Sequence, residues 1–452
     1  MQDLKHLSKK KRLSGLGFSG TGYSNKRLMP GCEKVSRSLR LPTGKRRERL
    51  KHLLLFLAVV LALTPVCLLA LQKAPHAARG VTEWFGSRSD PLPKVADRVK
   101  EPRGSFETAS LLLDSARAEG DRLTATAPTG ETLHYTIQGD LQQRVHAFMA
   151  GYQVPYGVFV AIEPSTGRIL AMTSHSSVDP EWARHAFFDL YPMASLFKII
   201  TASAALETRR ITPQTVVEFR GNAYSENPRY WDASPRGKNN RMDVTHAMGK
   251  SINPVYGRIA SDIAGKESVM ALVSRFGFNQ ALLTDTPAKE SSAGEPQSDH
   301  GLRLMGAGLD HEVKISPLHA AVIMAAIANG GRMMSPVLTD GSGATTPREL
   351  RRLVSPETAA DLTRMLSSTV TSGTSRRAFH DRRGRPRLDV EIAAKTGSIN
   401  GADPKGHYSW FAAFAPARSP RIALVALVIN QDKWKIKASQ VGERALQEFF
   451  ER

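Results

Sequence analysis

Residues 156–172 read YGVFVAIEPSTGRILAM, and the fold turns on how this stretch is read. Val158–Ile162 and Arg168–Met172 are short apolar runs, and Pro164-Ser165-Thr166-Gly167 between them is turn sequence, so the segment predicts a β-hairpin. Comparable strand signals return far along the chain, at Val390–Lys395, Tyr408–Ala415 and Ile422–Ile429. The residues between are mostly helical in pattern. Ser195–Glu207 is rich in Ala, Ile and Leu, and Ser355–Val370 is a second helix candidate. Ser316–Asn329 opens with a Ser cap and a Pro at the first helical position, then closes on Gly330-Gly331. An amphipathic helix, Ala438–Phe450, comes after the last strand. Strands at both ends with helices between require distant segments to pair into one sheet, with helices over its two faces. The expected fold class is mixed α/β, a largely antiparallel sheet with a helical insert.

Toward the N-terminus, Asp140–Gly151 has helical spacing, with Leu141, Val145, Phe148 and Met149 on one face. Arg122–Ala127 and Thr132–Ile137 flank the turn sequence Pro128-Thr129-Gly130-Glu131, and Ser105–Ala118 reads as a short helix. Residues 73–104, rich in Pro, Arg and Gly, read as a stalk. Before them lies Leu53–Leu71, 19 residues without a charge. At about 1.5 Å per residue such a helix spans roughly 28 Å, close to the thickness of a bilayer core. The formal charge of +20 is concentrated ahead of it: residues 1–51 hold 15 Lys/Arg against Asp3, Glu33 and Glu48. A basic flank before an apolar run predicts an uncleaved single-pass anchor with its N-terminus in the cytoplasm and the rest outside. No aromatic residues interleave with the clustered charges, so the tail does not read as a nucleic-acid binder. The expected organisation is a basic cytoplasmic tail (1–51), an anchor (52–72), a stalk with a small extracytoplasmic region (73–135) and a main domain (136–452). The two cysteines, Cys32 and Cys67, fall in the tail and the anchor, which excludes disulfide and thiolate chemistry from the exported part.

Three short motifs carry chemistry: Ser195-Leu196-Phe197-Lys198, Ser251-Ile252-Asn253 and Lys395-Thr396-Gly397. A serine hydroxyl is a weak nucleophile at neutral pH and needs a base beside it. Three residues on along a helix, Lys198 shares the face of Ser195. A lysine acts as a base only where burial or neighbouring cations depress its pKa, and Leu196, Phe197, Ile199 and Ile200 supply apolar surroundings. The helix N-terminus adds a positive dipole end and unpaired N–H groups. An isolated S-x-x-K is usually a capping serine and a surface lysine; a second copy, Ser8–Lys11, lies in the basic tail. S-x-N also occurs at Ser225–Asn227, in a polar loop, and at Ser398–Asn400, directly after the third motif. Ser251–Asn253 lies in a helical region and is preferred. Lys395-Thr396-Gly397 reads as the end of an apolar strand, where Gly397 admits a close substrate backbone.

From about Gly130 onward these motifs resemble the transpeptidase domain of the penicillin-binding proteins, most like the monofunctional class B branch of the serine D,D-peptidase and β-lactamase superfamily. Supporting text includes Thr136-Ile137 with Leu141-Gln142, Ala161-Ile162 with Gly167–Met172, Gly306–Gly308, Ile315–Leu318, Ala328–Gly331, Ser372-Gly373-Thr374 and Trp410-Phe411. The resemblance implies an antiparallel five-stranded sheet flanked by helices plus an all-helical subdomain. It implies a peptidoglycan D,D-transpeptidase of the bacterial inner (plasma) membrane with its catalytic domain extracytoplasmic. Stem peptides are then the substrate, β-lactams are covalent inhibitors, a membrane glycosyltransferase or polymerase is the expected companion, and no metal or organic cofactor is needed. Ser195 would be the acylated nucleophile and Lys198 its base. Ser251 would relay protons, and Asn253 would hold the substrate amide or Lys198. Lys395 would supply positive potential, Thr396 and Ser398 would bind the terminal carboxylate, and the N–H groups of Ser195 and Ser398 would form the oxyanion hole. Ala394 and Ser398 depart from the Gly and Thr common in the family, yet both are small and Ser398 keeps a hydroxyl.

Other readings share this chemistry. A D,D-carboxypeptidase differs mainly in using water as acceptor. A β-lactamase of class A type would carry an E-x-x-L-N segment, and none is found. A β-lactam sensor would be expected to carry a cytoplasmic effector larger than residues 1–51. The 60–70 residues between anchor and recognised domain are too few for a glycosyltransferase module.

Overall fold

Strand periodicity organises the core. In the computed structural model, which describes residues 104–119, 122–340 and 347–451, five long strands form one sheet. In chain order they are β1 (Tyr156–Ile162), β2 (Ile169–His175), β3 (Ala393–Ala402), β4 (Lys405–Ala415) and β5 (Ile422–Asn430). Their spatial order is β3-β4-β5-β1-β2, and every neighbouring pair is antiparallel. Along β5, Ala423, Val425, Leu427 and Ile429 enter one core, while Ile422, Leu424, Ala426 and Val428 enter a second core on the opposite face. Full burial of each larger side chain stabilises by roughly 1.5–3 kcal/mol, which makes this strand the spine of the domain.

The helices that cover the sheet or build the cleft are α1 (Gly139–Gly151), α2 (Lys198–Glu207), α3 (Val244–Lys250), α4 (Asn253–Arg258), α5 (Asp299–Ala307), α6 (Pro317–Ala328), α7 (Pro356–Thr371), α8 (Arg376–Phe379) and α9 (Ala438–Phe450). Helices α1 and α9 cover one face of the sheet and α6 the other. The caps are dictated by sequence. The Ser316 hydroxyl accepts from the His319 N–H at 3.2 Å, and that of Ser355 accepts from the Thr358 N–H at 3.2 Å, each ahead of a proline. Between β2 and β3, α2–α5 form the helical insert.

Two expectations need correction. The strand predicted at Val390–Lys395 begins at Ala393 and runs on to Ala402, so Lys395-Thr396-Gly397 lies within the strand rather than at its end. The polar Ser398 and Asn400 hid this continuation, but they alternate with buried Ile399 on an edge strand with one half-open face. The helix expected at Ser105–Ala118 is Gly104–Leu112 with a 3-10 turn after it, and Arg117–Glu119 is already extended. That strand joins Arg122–Thr126, Thr132–Tyr135 and Thr339–Asp340 in a small second sheet. Phe106, Ala109, Leu113 and Tyr135 pack into the same core as the main sheet. The tail, the apolar run Leu53–Leu71 and the stalk lie outside the described residues. Among the described residues no helix is long and apolar enough to cross a membrane.

Candidate active site

Ser195 sits in the 3-10 turn Ala194–Phe197 that leads into α2. The residue before it, Ala194, has φ 53°, a left-handed conformation that costs a residue with a Cβ about 1–2 kcal/mol. Its surroundings hold it there. The Met193 N–H donates to the Val313 carbonyl at 2.9 Å, and Trp410 Nε1 of β4 donates to the Pro192 carbonyl at 2.9 Å. Gly308, left-handed at the end of α5, lies so close that a Cβ there would meet the Ala194 oxygen at 2.2 Å.

One turn on, Lys198 is fully buried. Its Nζ lies 2.7 Å from Ser195 Oγ and donates to Asn253 Oδ1 at 2.8 Å and to the Ala307 carbonyl at 2.6 Å. Burial, reinforced by the charge of Lys395, pulls its pKa well below the ordinary lysine range. A neutral amine has two N–H donors, and Asn253 and Ala307 accept both. The lone pair is left facing the Ser195 hydroxyl.

Ser251 caps α3 in a left-handed conformation, φ 56° and ψ 45°, with its N–H donating to the Met248 carbonyl at 3.1 Å. The break lets Asn253 open α4 ahead of Pro254. The Asn253 backbone N–H donates to the Ala223 carbonyl at 2.9 Å, and Nδ2 reaches the Ser225 carbonyl at 3.4 Å, leaving Oδ1 for Lys198. The S-x-N rejected at Ser225–Asn227 thus belongs to a loop against the preferred one.

On β3, the fully buried Lys395 donates to Ser251 Oγ at 2.9 Å and to the Thr396 carbonyl at 2.7 Å, and burial pulls its pKa down to about 7. A Cβ on Gly397 would lie 3.4 Å from the Ser195 backbone nitrogen, so the strand passes beside the serine. Ser398 comes next on the exposed side, and Ala394, fully buried, fits its methyl into the core beneath the sheet. These contacts bring Ser195, Lys198, Ser251, Asn253, Lys395 and Gly397 together where β3 meets the helical insert, with Thr396 and Ser398 on either side of Gly397 along the strand.

Some participants carried little sequence signal. The Ala307 carbonyl is one; the Gly306–Gly308 text was its only trace. Another is Thr374, named in the sequence only within the Ser372-Gly373-Thr374 text, whose hydroxyl lies 2.5 Å from that of Thr396 and whose N–H donates to the Gly249 carbonyl at 3.0 Å. Among the described residues no group of three or more His, Cys, Asp or Glu side chains is arranged to hold a metal ion.

Known proteins share this architecture. Residues 157–450 match the family model for the penicillin binding protein transpeptidase domain. The chain is 30% identical over 405 residues to the peptidoglycan D,D-transpeptidase PbpA of Mycolicibacterium smegmatis, covering 78% of this chain and 77% of that protein. It is similar to the crystal structure of PBPA from Mycobacterium tuberculosis, with 27% identity, a TM-score of 0.57, and coverage of 70% and 81% of the two chains. The penicillin G acyl-enzyme complex of that M. tuberculosis protein matches with 27% identity, a TM-score of 0.54, and coverage of 70% and 80%. With its mixed α/β fold and five-stranded antiparallel sheet, this chain belongs to the penicillin-binding protein transpeptidase family.

Proposed function

We propose that this chain is a serine D,D-transpeptidase that cross-links peptidoglycan stem peptides and is acylated by β-lactams at Ser195. The observation that carries the reading is the buried Lys198 amine, 2.7 Å from Ser195 Oγ with its donors engaged elsewhere. As Ser195 Oγ attacks the penultimate D-Ala carbonyl, its proton passes to the Lys198 lone pair. Charge develops on the carbonyl oxygen, and the N–H groups of Ser195 and Ser398 would receive it, a contribution of several kcal/mol in acyl-transfer sites. Collapse breaks the peptide bond. The departing D-Ala amine takes a proton through Ser251, whose hydroxyl is held by Lys395. Thr396 and Ser398, with the charge of Lys395, would orient the terminal carboxylate. An amine from a neighbouring strand then attacks the ester, loses its proton to the same relay, and leaves Ser195 free.

Residues 52–72 as a single membrane anchor, 1–51 as a cytoplasmic tail, 73–135 as stalk and small N-terminal region, and 136–452 as the extracytoplasmic domain complete the proposal. The uncharged run Leu53–Leu71 behind a basic flank supports it. A membrane polymerase as companion fits the same placement.

Labelled penicillin is expected to attach covalently to the wild-type chain and not to Ser195→Ala. Labelling that survives in the mutant would remove Ser195 from its role. Incubation with stem peptide and an amine acceptor should give a joined product by mass spectrometry; D-Ala release alone would make the enzyme a carboxypeptidase.

A further inference from the structure

A second feature grows out of the cleft wall. From the start of α8 toward β3 the chain reads RRAFHDRRGRPR (376–387), with Arg376, Arg377, Arg382, Arg383, Arg385 and Arg387 all exposed. Among the described residues only Arg385 of these six forms an ion pair, with Asp381 at 2.8 Å. A solvated surface ordinarily intersperses both signs; here Arg376, Arg377, Arg382 and Arg383 have no described carboxylate at ion-pair distance, and Arg387 feels those of Asp381 and Glu443 only from beyond it. The backbone that carries them is tightly held. Phe379 is buried and stacks on Phe411 at 5.5 Å, and Leu388 is buried at the other end. Between them the Arg387 N–H donates to the Phe379 carbonyl at 2.9 Å, and the Asp381 N–H donates to the Arg385 carbonyl at 2.9 Å. Asp381 Oδ1 also accepts from the N–H groups of Arg383 at 2.8 Å and Arg385 at 2.9 Å. Arg376 folds back over this hairpin, its guanidinium 3.1 Å from where a Cβ on Gly384 would lie.

The root of the hairpin is the cleft itself. Thr374 touches Thr396 and Gly249, and the Arg376 N–H donates to the Gly373 carbonyl at 3.2 Å. Guanidinium forks match carboxylates and phosphates. An anion that reaches the hairpin while the cleft is occupied is best supplied by the polymer being processed, whose stem peptides carry free carboxylates. We propose that the 376–387 hairpin is a docking surface for the peptidoglycan network, holding carboxylates of stem peptides other than the one in the cleft; this rests on the transpeptidase reading above.

The test is sedimentation of the full chain, solubilised in zwitterionic detergent, with isolated peptidoglycan sacculi stripped of phosphate-bearing polymers. The wild-type chain should pellet at low salt and be released as salt rises. In the variant Arg382→Gln/Arg383→Gln/Arg387→Gln, affinity should fall about threefold or more, since each exposed charge contact is worth a factor of about 1.4 to 5. The basic tail is common to both chains and cancels in the comparison. The Arg→Lys triple variant should pellet nearly as the wild type does, and labelling by penicillin should be equal in all three. Equal pelleting of wild type and Gln variant would overturn the proposal. So would a deficit confined to phosphatidylglycerol vesicles or to unstripped sacculi, which would assign the surface to phosphate. A Gln variant that loses penicillin labelling has misfolded, and the Lys variant then decides: failure to pellet with labelling intact overturns the proposal. Absence of labelling in the wild type would strike the transpeptidase reading instead.

Discussion

Lys198 and Lys395 are both fully buried, and keeping two ammonium ions side by side away from water costs more than their few hydrogen bonds return. The pair relieves this by giving up protons. Lys198, lowered by burial and by its neighbour's charge, is the one whose contacts suit a neutral amine. Lys395, pulled to about 7 by burial, still carries charge at neutral pH and below. The two roles oppose each other in pH. Acylation should rise as Lys198 loses its proton, then fall as pH climbs through about 7 and Lys395 becomes neutral. Arginine keeps its proton throughout this range, so Lys395→Arg should lower the maximum yet abolish the alkaline decline. The measurement is the second-order rate of penicillin acylation across the range from mildly acidic to alkaline pH. A wild-type profile flat above neutrality would show that the charge on Lys395 is not used.

The elements around Ser195 are positioned as much by what is missing as by what is present. Gly308, φ 69°, ends α5 against the nucleophile turn, where a Cβ would meet the Ala194 oxygen at 2.2 Å and the Ser195 Cα at 2.8 Å. Gly330, φ 62°, comes after α6 in a similar conformation with nothing within 4 Å of its would-be Cβ. Gly→Ala at either site meets the same left-handed penalty of about 1 kcal/mol, so thermal stability should drop modestly in Gly330→Ala and further in Gly308→Ala, where the added Cβ also overlaps backbone. Only Gly308→Ala should also slow acylation, by about tenfold, because a shift of the turn worth about 1.4 kcal/mol at the transition state has that effect. Equal acylation in the two variants would mean that α5 does not set the serine's position. These elements also mark what sequence reading can reach. The hairpin, the capped helices α6 and α7 and the pairing of distant strands were legible because period, Pro and Ser report backbone state directly. The three motifs could be picked out because side-chain chemistry is written in residue type, and the fold brings Ser195, Lys198, Ser251, Asn253 and Lys395 within hydrogen-bonding reach of one another. The left-handed Ala194 and Ser251 were not, since neither residue type signals positive φ. The Ala307 carbonyl was not either, since every residue carries one. The length of β3 was missed because its polar half resembles a loop until the neighbouring strand is known.

At the scale of the whole molecule the buried lysines become a stability term. In the unfolded chain each holds its proton to about 10.5, whereas folded Lys395 releases it near 7 and Lys198 is likewise lowered. Through that window the unfolded state binds more protons, so stability must rise with pH, by up to about 1.4 kcal/mol per pH unit for each lysine. Below about 7 both states hold the Lys395 proton and its contribution is constant. Above about 10 the sign reverses. Burial raises the hydroxyls of Tyr135, Tyr191, Tyr256 and Tyr408, so the unfolded chain sheds tyrosine protons that the folded chain retains. Stability should therefore climb from about pH 7.5 to about 9.5, contrary to the near-neutral optimum of many domains. In Lys395→Met the climb should be shallower by about 1.4 kcal/mol per pH unit. Denaturant melts of the two chains across this range, followed by tryptophan fluorescence, measure the difference directly. Parallel pH dependences would mean that Lys395 keeps its proton when folded, and the alkaline decline in acylation expected from the same titration would have to disappear with it.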